Sequence, residues 1–375
     1  MKPRTSRPVA GIAVYKPGKP VEELERELGL TGSIKIASNE NPLGPSPKAL
    51  EAARGALADI NRYPDGGGFY LKRALAAHHG LSPEHFVLGN GTNEVLEMLA
   101  HAFFDPGDPV VFSEGAFIVY LIVSQLSSCE MRRAPMREYA HDLEGMAALA
   151  GEGTKAVFIA NPNNPTGTAV GEKALRGLLE RVPETVLVVV DEAYFHYVSR
   201  EDYPDAVKLL AEYPNLVALR TFSKVYGLAG LRVGYAAAHP DVAGAMEKVR
   251  EPFNVNSLAL AAAEAALGDA AHVERSVRMN AEGREFFVRE LGALGLPFVP
   301  TQANFLMVEV GEVGEAGEDG GKREAEAVYE ALLREGVIVR PVAGYGFPAH
   351  LRISIGTPEE NRRTVDALAK VIGMK

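Results

Sequence analysis

The chain has 375 residues, 47% hydrophobic and 23% charged, with 39 Lys and Arg against 49 Asp and Glu. That length buries a large core without disulfides or a structural metal. A formal charge of −10 and a single cysteine, Cys129, make nucleic acid, anionic membrane and multi-cysteine metal centres poor matches. The 38 Gly and 24 Pro stand out, a density that suits an α/β protein with many tight turns.

Residues 1–10 hold Lys2, Arg4 and Arg7, but no apolar stretch of signal-peptide length follows. The longest apolar runs, 186–190 and 259–267, are shorter than the ~20 residues of a membrane helix. A soluble cytoplasmic protein is expected. Residues 11–48 are interrupted by Pro17, Pro20, Pro42, Pro45 and Pro47 around one short charged helix at 21–30, which reads as an extended arm. From residue 48 the pattern changes. Helical spacing at 48–59 and 68–80 leads to a strand at 86–88 and an amphipathic helix at 93–104. A strand at 109–112, a helix at 118–125, a strand at 156–159 and a helix at 171–180 follow. The β-branched run 186–190, bounded by Pro183 and Asp191, predicts a strand buried on both faces. Further strands are expected at 216–220 and 232–236. This alternation predicts an α/β fold with a mostly parallel, doubly wound sheet. Beyond 270, a charged helix at 271–294, strands at 305–310, 337–340 and 351–354, and a closing helix from Pro358 predict a smaller α+β domain. The expected division is an arm and part of the small domain at 1–47, a large domain at 48–270 and a small C-terminal domain at 271–375. The Gly/Glu-rich stretch 311–321 reads as a surface loop.

Four features fall at predicted strand ends, where open α/β sheets place ligands. Gly89-Asn90-Gly91-Thr92-Asn93 stands between a strand and a helix, so it is either a simple turn capped by Thr92 or Asn93 or a phosphate cradle on the helix N–H groups. Asn161-Pro162-Asn163-Asn164-Pro165-Thr166-Gly167 is a rigid turn, either no more than a stiff connection or, since three Asn at a sheet edge are costly unless they meet a ligand, part of a site. Asp191-Glu192-Ala193-Tyr194 puts a carboxylate at the exit of a dry strand, either as a local cap or as the partner of a cation. The fourth, Thr221-Phe222-Ser223-Lys224-Val225-Tyr226-Gly227-Leu228-Ala229-Gly230-Leu231-Arg232, places Lys224 in a Gly- and Ala-rich setting. A lone Lys is normally a solvated charge, whereas burial lowers its pKa and makes it a nucleophilic amine. Pyridoxal phosphate has a use for all four: a phosphate, a phenolic oxygen, a pyridine nitrogen seeking an anion and an aldehyde seeking an amine.

With these motifs on the page, the chain resembles the fold-type-I pyridoxal-phosphate aminotransferases over nearly its whole length. The resemblance runs from Tyr15-Lys16-Pro17-Gly18 through Asn39-Glu40-Asn41-Pro42-Leu43-Gly44 to Leu351-Arg352-Ile353-Ser354-Ile355-Gly356-Thr357. Val225 departs from the small residue usual after the lysine. Phe117 falls where an aromatic commonly covers the cofactor ring. The resemblance implies pyridoxal 5'-phosphate as cofactor, covalently held by Lys224, which also moves the substrate Cα proton. It implies Asp191 on the pyridine nitrogen, Asn164 and Tyr194 on the phenolic oxygen, and Gly91, Thr92, Asn93, Ser223 and Arg232 on the phosphate. Tyr63 is expected to reach the partner subunit's phosphate, hence a homodimer. Tyr15, Asn39, Arg340 and Arg352 are expected to meet substrate.

The branch it resembles most transfers an amino group reversibly between glutamate and imidazole-acetol phosphate, giving L-histidinol phosphate and 2-oxoglutarate. Arg352 would then serve both a carboxylate and a phosphate. Aromatic amino-acid aminotransfer and threonine-phosphate decarboxylation are the alternatives on this scaffold. A non-catalytic cofactor-sensing domain calls for a basic DNA-binding segment that this sequence lacks. A nicotinamide dehydrogenase leaves Lys224 unused. The nine His are scattered without ligand spacing, and no metal is expected.

Overall fold

The structure is a computed structural model that describes residues 5–12, 14, 18–311 and 325–373. Tyr15 and most of the expected 311–321 loop lie outside the described residues. Seven strands form the larger sheet, in the order Phe86–Gly89, Gly234–Ala238, Leu216–Thr221, Leu187–Asp191, Ala156–Ala160, Pro109–Ser113, Glu130–Ala134. Gly234–Ala238 runs antiparallel to both its neighbours, and the pairs from Leu216–Thr221 across to Glu130–Ala134 are parallel. One reversed strand between two others leaves those two parallel, so six strands point their carboxyl ends to the same edge.

The central strands show why an unbroken apolar run signals two-sided burial. Val157 and Ile159 enter the core on one face of the sheet, while Phe158 and Ala160 enter the core on the other. Val188 and Val190 against Leu187 and Val189 repeat the split. Each such side chain taken wholly out of water contributes about 1.5–3 kcal/mol, so neither face tolerates a polar replacement.

A second, antiparallel sheet has the order Phe298–Val299, Phe305–Glu309, His350–Ser354, Arg340–Pro341. Its core joins Leu306, Val308, Leu351 and Ile353 to Phe287 of helix Ala270–Ala293 and Leu368 of helix Pro358–Val371. The fold is therefore α/β, a mostly parallel sheet accompanied by a smaller antiparallel one.

Several expectations shift. Residues 11–48 are not simply an extended arm: the helix Val21–Leu28 buries Leu24, and Ile34–Lys35 pairs in parallel with Val337–Ile338. The dense, mostly acidic charge of 21–28 hid one apolar stripe. The strand expected at 337–340 divides into Val337–Ile338 and Arg340–Pro341, which join different sheets. The strand expected at 232–236 starts at Gly234, because Arg232 adopts a left-handed backbone with φ 57°. Edge strand Glu130–Ala134 was not expected. Its Glu-Met-Arg-Arg start carries no apolar alternation, which suits an edge.

Candidate active site

The shared carboxyl edge gathers the turns at 89–92, 161–167, 191–194 and 221–232. Register explains the last of these. Gly234 pairs with both Gly89 and Thr221, so Arg232, two residues earlier, returns to the edge between them. The resulting cavity, of about 320 Å3, is lined by Thr92, Asn93, Phe117, Asn164, Asp191, Tyr194, Ser223, Lys224 and Arg232 from this sheet. Asn39, Arg340 and Arg352 complete the wall from the other side. Gly91 lies directly behind Arg232. Tyr63 is not in the lining; it stands 82% exposed and stacks on Phe253 with ring centroids 4.7 Å apart. Val225 points away, into the apolar core, so the pocket is not tightened by it.

Two titratable groups have been moved towards neutrality. Lys224 Nζ donates to the Ser38 carbonyl at 3.2 Å, and burial, reinforced by Arg352, lowers its pKa from 10.5 to about 8. An amine so placed is still mostly protonated at neutral pH, but its neutral, nucleophilic fraction is far larger than an ordinary lysine's. Burial also raises Asp191 to about 6, opposed by the Ala193 N–H at 3.1 Å and the Tyr120 hydroxyl at 3.3 Å. A carboxylate held dry at this cost is a strong partner for a buried cation. Its neighbour Glu192 faces the other way and takes Arg220 Nε at 3.0 Å and Nη2 at 2.8 Å, with the guanidinium 3.7 Å from the Phe195 ring. The two acids thus divide, one to the cavity and one to the foundation below it.

The opposite end suits an anion. Helix Thr92–Phe103 begins after Gly91 with no side-chain cap, which favours the cradle over the simple capped turn, so its first N–H groups remain for a ligand. Gly91 has φ 80°, and a Cβ there would come within 2.4 Å of Arg232 Nη2. Only glycine allows the guanidinium to lie against the helix start. Gly227, with φ 71°, similarly admits the Gly44 carbonyl, which a Cβ would meet at 2.1 Å.

Hydrogen bonds fix which atoms face inward. Arg352 Nη1 donates to Asn164 Oδ1, leaving the Asn164 amide N–H2 to donate elsewhere. Asn39 Nδ2 donates to the Tyr194 oxygen at 2.9 Å, and Ser354 Oγ donates to Asn39 Oδ1 at 2.8 Å. Burial raises Tyr194 to about 12, so its phenol keeps a proton to donate. Arg340 lies directly across the strand pair from Arg352.

These residues fit pyridoxal phosphate: an amine for its aldehyde, a dry carboxylate for its ring nitrogen, two donors for its phenolic oxygen, and a helix start with Arg232 for its phosphate. Sequence reasoning did not single out Ser38, Ser354 or Tyr120. Ser354 lies within a quoted motif, and Tyr120 sits one helical turn after Phe117, but each reads by pattern as ordinary strand or helix core. Among the described residues, no group of three or more His, Cys, Asp or Glu is placed to hold a metal, and no helix is long and apolar enough to cross a membrane.

A fold with a lysine, an aspartate and a phosphate cradle on one sheet edge defines a pyridoxal-phosphate enzyme. Residues 31–368 match the family model for aminotransferase class I and II, and the chain belongs to that family. It is 52% identical over 366 residues to histidinol-phosphate aminotransferase 2 of Pseudomonas aeruginosa, covering 97% of this chain and 96% of that one. It is 47% identical over 364 residues to histidinol-phosphate aminotransferase 1 of Nitrosococcus oceani, covering 97% and 95%. Among solved structures, the histidinol-phosphate aminotransferase of Sinorhizobium meliloti in complex with pyridoxal-5'-phosphate superposes with a TM-score of 0.88. That chain is 30% identical, and the match covers 100% of this chain and 98% of that one.

Proposed function

We propose that the protein transfers an amino group reversibly between glutamate and imidazole-acetol phosphate, giving L-histidinol phosphate and 2-oxoglutarate. The observation that carries the reaction class is the placement of the Lys224 amine and the Asp191 carboxylate in one buried cavity. The choice of substrate rests on near-full-length likeness to histidinol-phosphate aminotransferases.

When bound, pyridoxal phosphate supplies an aldehyde for amines and a ring that accepts the electron pair left when a proton leaves the substrate Cα. Lys224 would contribute the amine that secures the cofactor and, as a neutral amine, a base for the substrate Cα proton. Asp191 holds a proton on the ring nitrogen by offering it a desolvated anion. Asn164 and Tyr194 donate to the phenolic oxygen. Gly91, Thr92, Asn93, Ser223 and Arg232 would hold the phosphate, and Phe117 would cover the ring. Arg352 clamps the substrate anion, with Arg340 opposite it; Asn39 and Tyr15 are assigned to the substrate by the resemblance alone. Two arginines facing each other suit a dianionic phosphate as well as a carboxylate, which answers the need to bind both substrates.

The same reading takes the protein as a homodimer. Support comes from the exposed aromatic residues Tyr63, Phe69, Tyr70 and Phe253, of the type that subunit interfaces cover. Tyr63 would reach the neighbouring subunit's phosphate. The cytoplasm is the expected compartment, since a chain with one thiol makes no demand on an oxidising environment.

The test is a steady-state assay of the purified protein with glutamate and a panel of keto acids that includes imidazole-acetol phosphate and phenylpyruvate. The highest kcat/KM is expected for imidazole-acetol phosphate. Turnover of phenylpyruvate without turnover of imidazole-acetol phosphate contradicts the reading.

A further inference from the structure

We infer that Tyr120 is a positioning residue that keeps Asp191 oriented and ionised for the cofactor's ring nitrogen. The inference rests on the cofactor reading above and adds a residue that does not itself line the cavity.

Tyr120 belongs to the helix Ile118–Leu126 and is wholly buried. Its ring stacks on Phe158 at 5.1 Å and 14°, and meets the edge of Phe117 at 5.7 Å and 87°. Phe158 stands on the strand next to that of Asp191, so the stack fixes the phenol relative to the carboxylate. The hydroxyl donates to Asp191 Oδ2 at 3.3 Å while the Ala193 N–H donates to Oδ1 at 3.1 Å. Each carboxylate oxygen is thereby held by one donor, which fixes the plane of the group.

A plain core tyrosine satisfied by the nearest acceptor is the simpler account, and chemistry separates the two. Burial and the adjacent carboxylate push the Tyr120 phenol well above its ordinary range, so it remains a donor at any working pH. As a donor it favours the anionic form of Asp191. The other groups coupled to Asp191 are Lys224 from the turn after Leu216–Thr221, Tyr194 from its own turn, and Tyr203 farther on. Of these only Lys224 is cationic. Removing the Tyr120 hydroxyl therefore raises the Asp191 pKa, and the carboxylate protonates at a higher pH. Cofactor binding then fails at a higher pH as the solution is acidified.

The experiment titrates cofactor-stripped wild type, Tyr120→Phe and Phe158→Leu with pyridoxal phosphate by absorbance across a pH series, with a thermal melt of each. A 3.3 Å bond is long for a hydroxyl donor, so the lower end of the charge-assisted range applies. Tyr120→Phe is expected to weaken binding at neutral pH by about tenfold. The midpoint of the acid loss of binding should rise by about one pH unit. Phe158→Leu keeps the hydroxyl but loosens the stack that places it, and should lower the melting temperature with a smaller rise in midpoint than Tyr120→Phe. A wild-type midpoint in Tyr120→Phe overturns the inference alone. So does an equal displacement in Phe158→Leu, which would make packing the cause. A wild type that binds no pyridoxal phosphate at any pH overturns the cofactor reading itself.

Discussion

Arg352 and Asn164 are 188 residues apart, and the guanidinium of the first donates to the amide oxygen of the second. The other terminal nitrogen, Nη2, reaches the Ala37 carbonyl at 2.6 Å. One planar group thus joins the small sheet, the segment after Ile34–Lys35 and the turn at 161–167. Its position is set before any ligand arrives, and the amide of Asn164 is oriented with it.

Arg352→Lys should therefore be far from conservative. A single ammonium cannot hold Asn164, Ala37 and a substrate anion in one plane. The loss of two charge-assisted hydrogen bonds lowers kcat/KM by roughly 100-fold. Steady-state kinetics with glutamate would reveal it, chiefly as a raised KM. A variant with wild-type kcat/KM would remove Arg352 from the substrate site.

Asp191 gives a prediction of opposite sign for stability and function. Its folded pKa, about 6, lies above the ordinary 3.8. Between those values the folded chain binds more protons than the unfolded one. The stability tied to the protonated acid is thus full below about pH 4 and lost as pH rises through 6. At neutral pH the buried charge costs about 3 kcal/mol as an upper figure. Cofactor-free Asp191→Asn should melt higher than the wild type at neutral pH while losing most cofactor affinity. Paired thermal melts and cofactor titrations decide this, and a variant that melts lower yet binds normally would contradict it.

Lys224, lowered to about 8, sets the pH at which the cofactor attaches. The neutral amine fraction rises through that value, so the attachment rate should climb from pH 7 and level off above 9. Stopped-flow absorbance after mixing cofactor-free protein with pyridoxal phosphate measures it. A rate still climbing at 10.5, the ordinary lysine value, would mean that burial does not tune this amine. Lys224→Ala should show no covalent attachment at any pH.

Asn39 combines a left-handed backbone, φ 55°, with side-chain hydrogen bonds, donated to the Tyr194 oxygen and accepted from the Ser354 hydroxyl. Asn39→Gly keeps the backbone and loses the amide; Asn39→Ala loses both. Unsatisfied buried partners cost about 1–3 kcal/mol, and alanine adds a further 1–2 kcal/mol for its Cβ. Urea unfolding should rank wild type above Asn39→Gly above Asn39→Ala. Equal stability of the two variants would show that the backbone there is not constrained.

Tyr63 tests the assembly. It is absent from its own cavity yet expected to serve a neighbouring one. Tyr63→Ala should release pyridoxal phosphate faster, with the effect read by dialysis and absorbance, while sedimentation reports a dimer in the wild type. A monomeric wild type with full activity would contradict the shared site.

The sheet and its carboxyl-edge turns were legible because two signals are local: an unbroken Val run and Gly/Pro-rich turns at its ends. Lys224, Asp191, Asn164 and Arg232 sit in those turns, and each lines the cavity. Long-range satisfaction was not legible. Nothing around residue 24 announces that Leu24 is buried, since its cover arrives with Leu333 and Ile338. The Asn39–Tyr194 and Arg352–Asn164 bonds likewise join segments that only the fold brings together. The glycine excess has a similar resolution: Gly91 and Gly227 are required by a guanidinium and a carbonyl from distant parts of the chain.

The most direct measurement of the central claim is a half-reaction followed by absorbance. The purified protein loaded with pyridoxal phosphate should carry a visible absorbance band that L-histidinol phosphate abolishes and 2-oxoglutarate restores, with Lys224→Ala inert throughout. A protein that stays colourless with added cofactor, or whose band responds to phenylalanine but not to L-histidinol phosphate, would contradict the account.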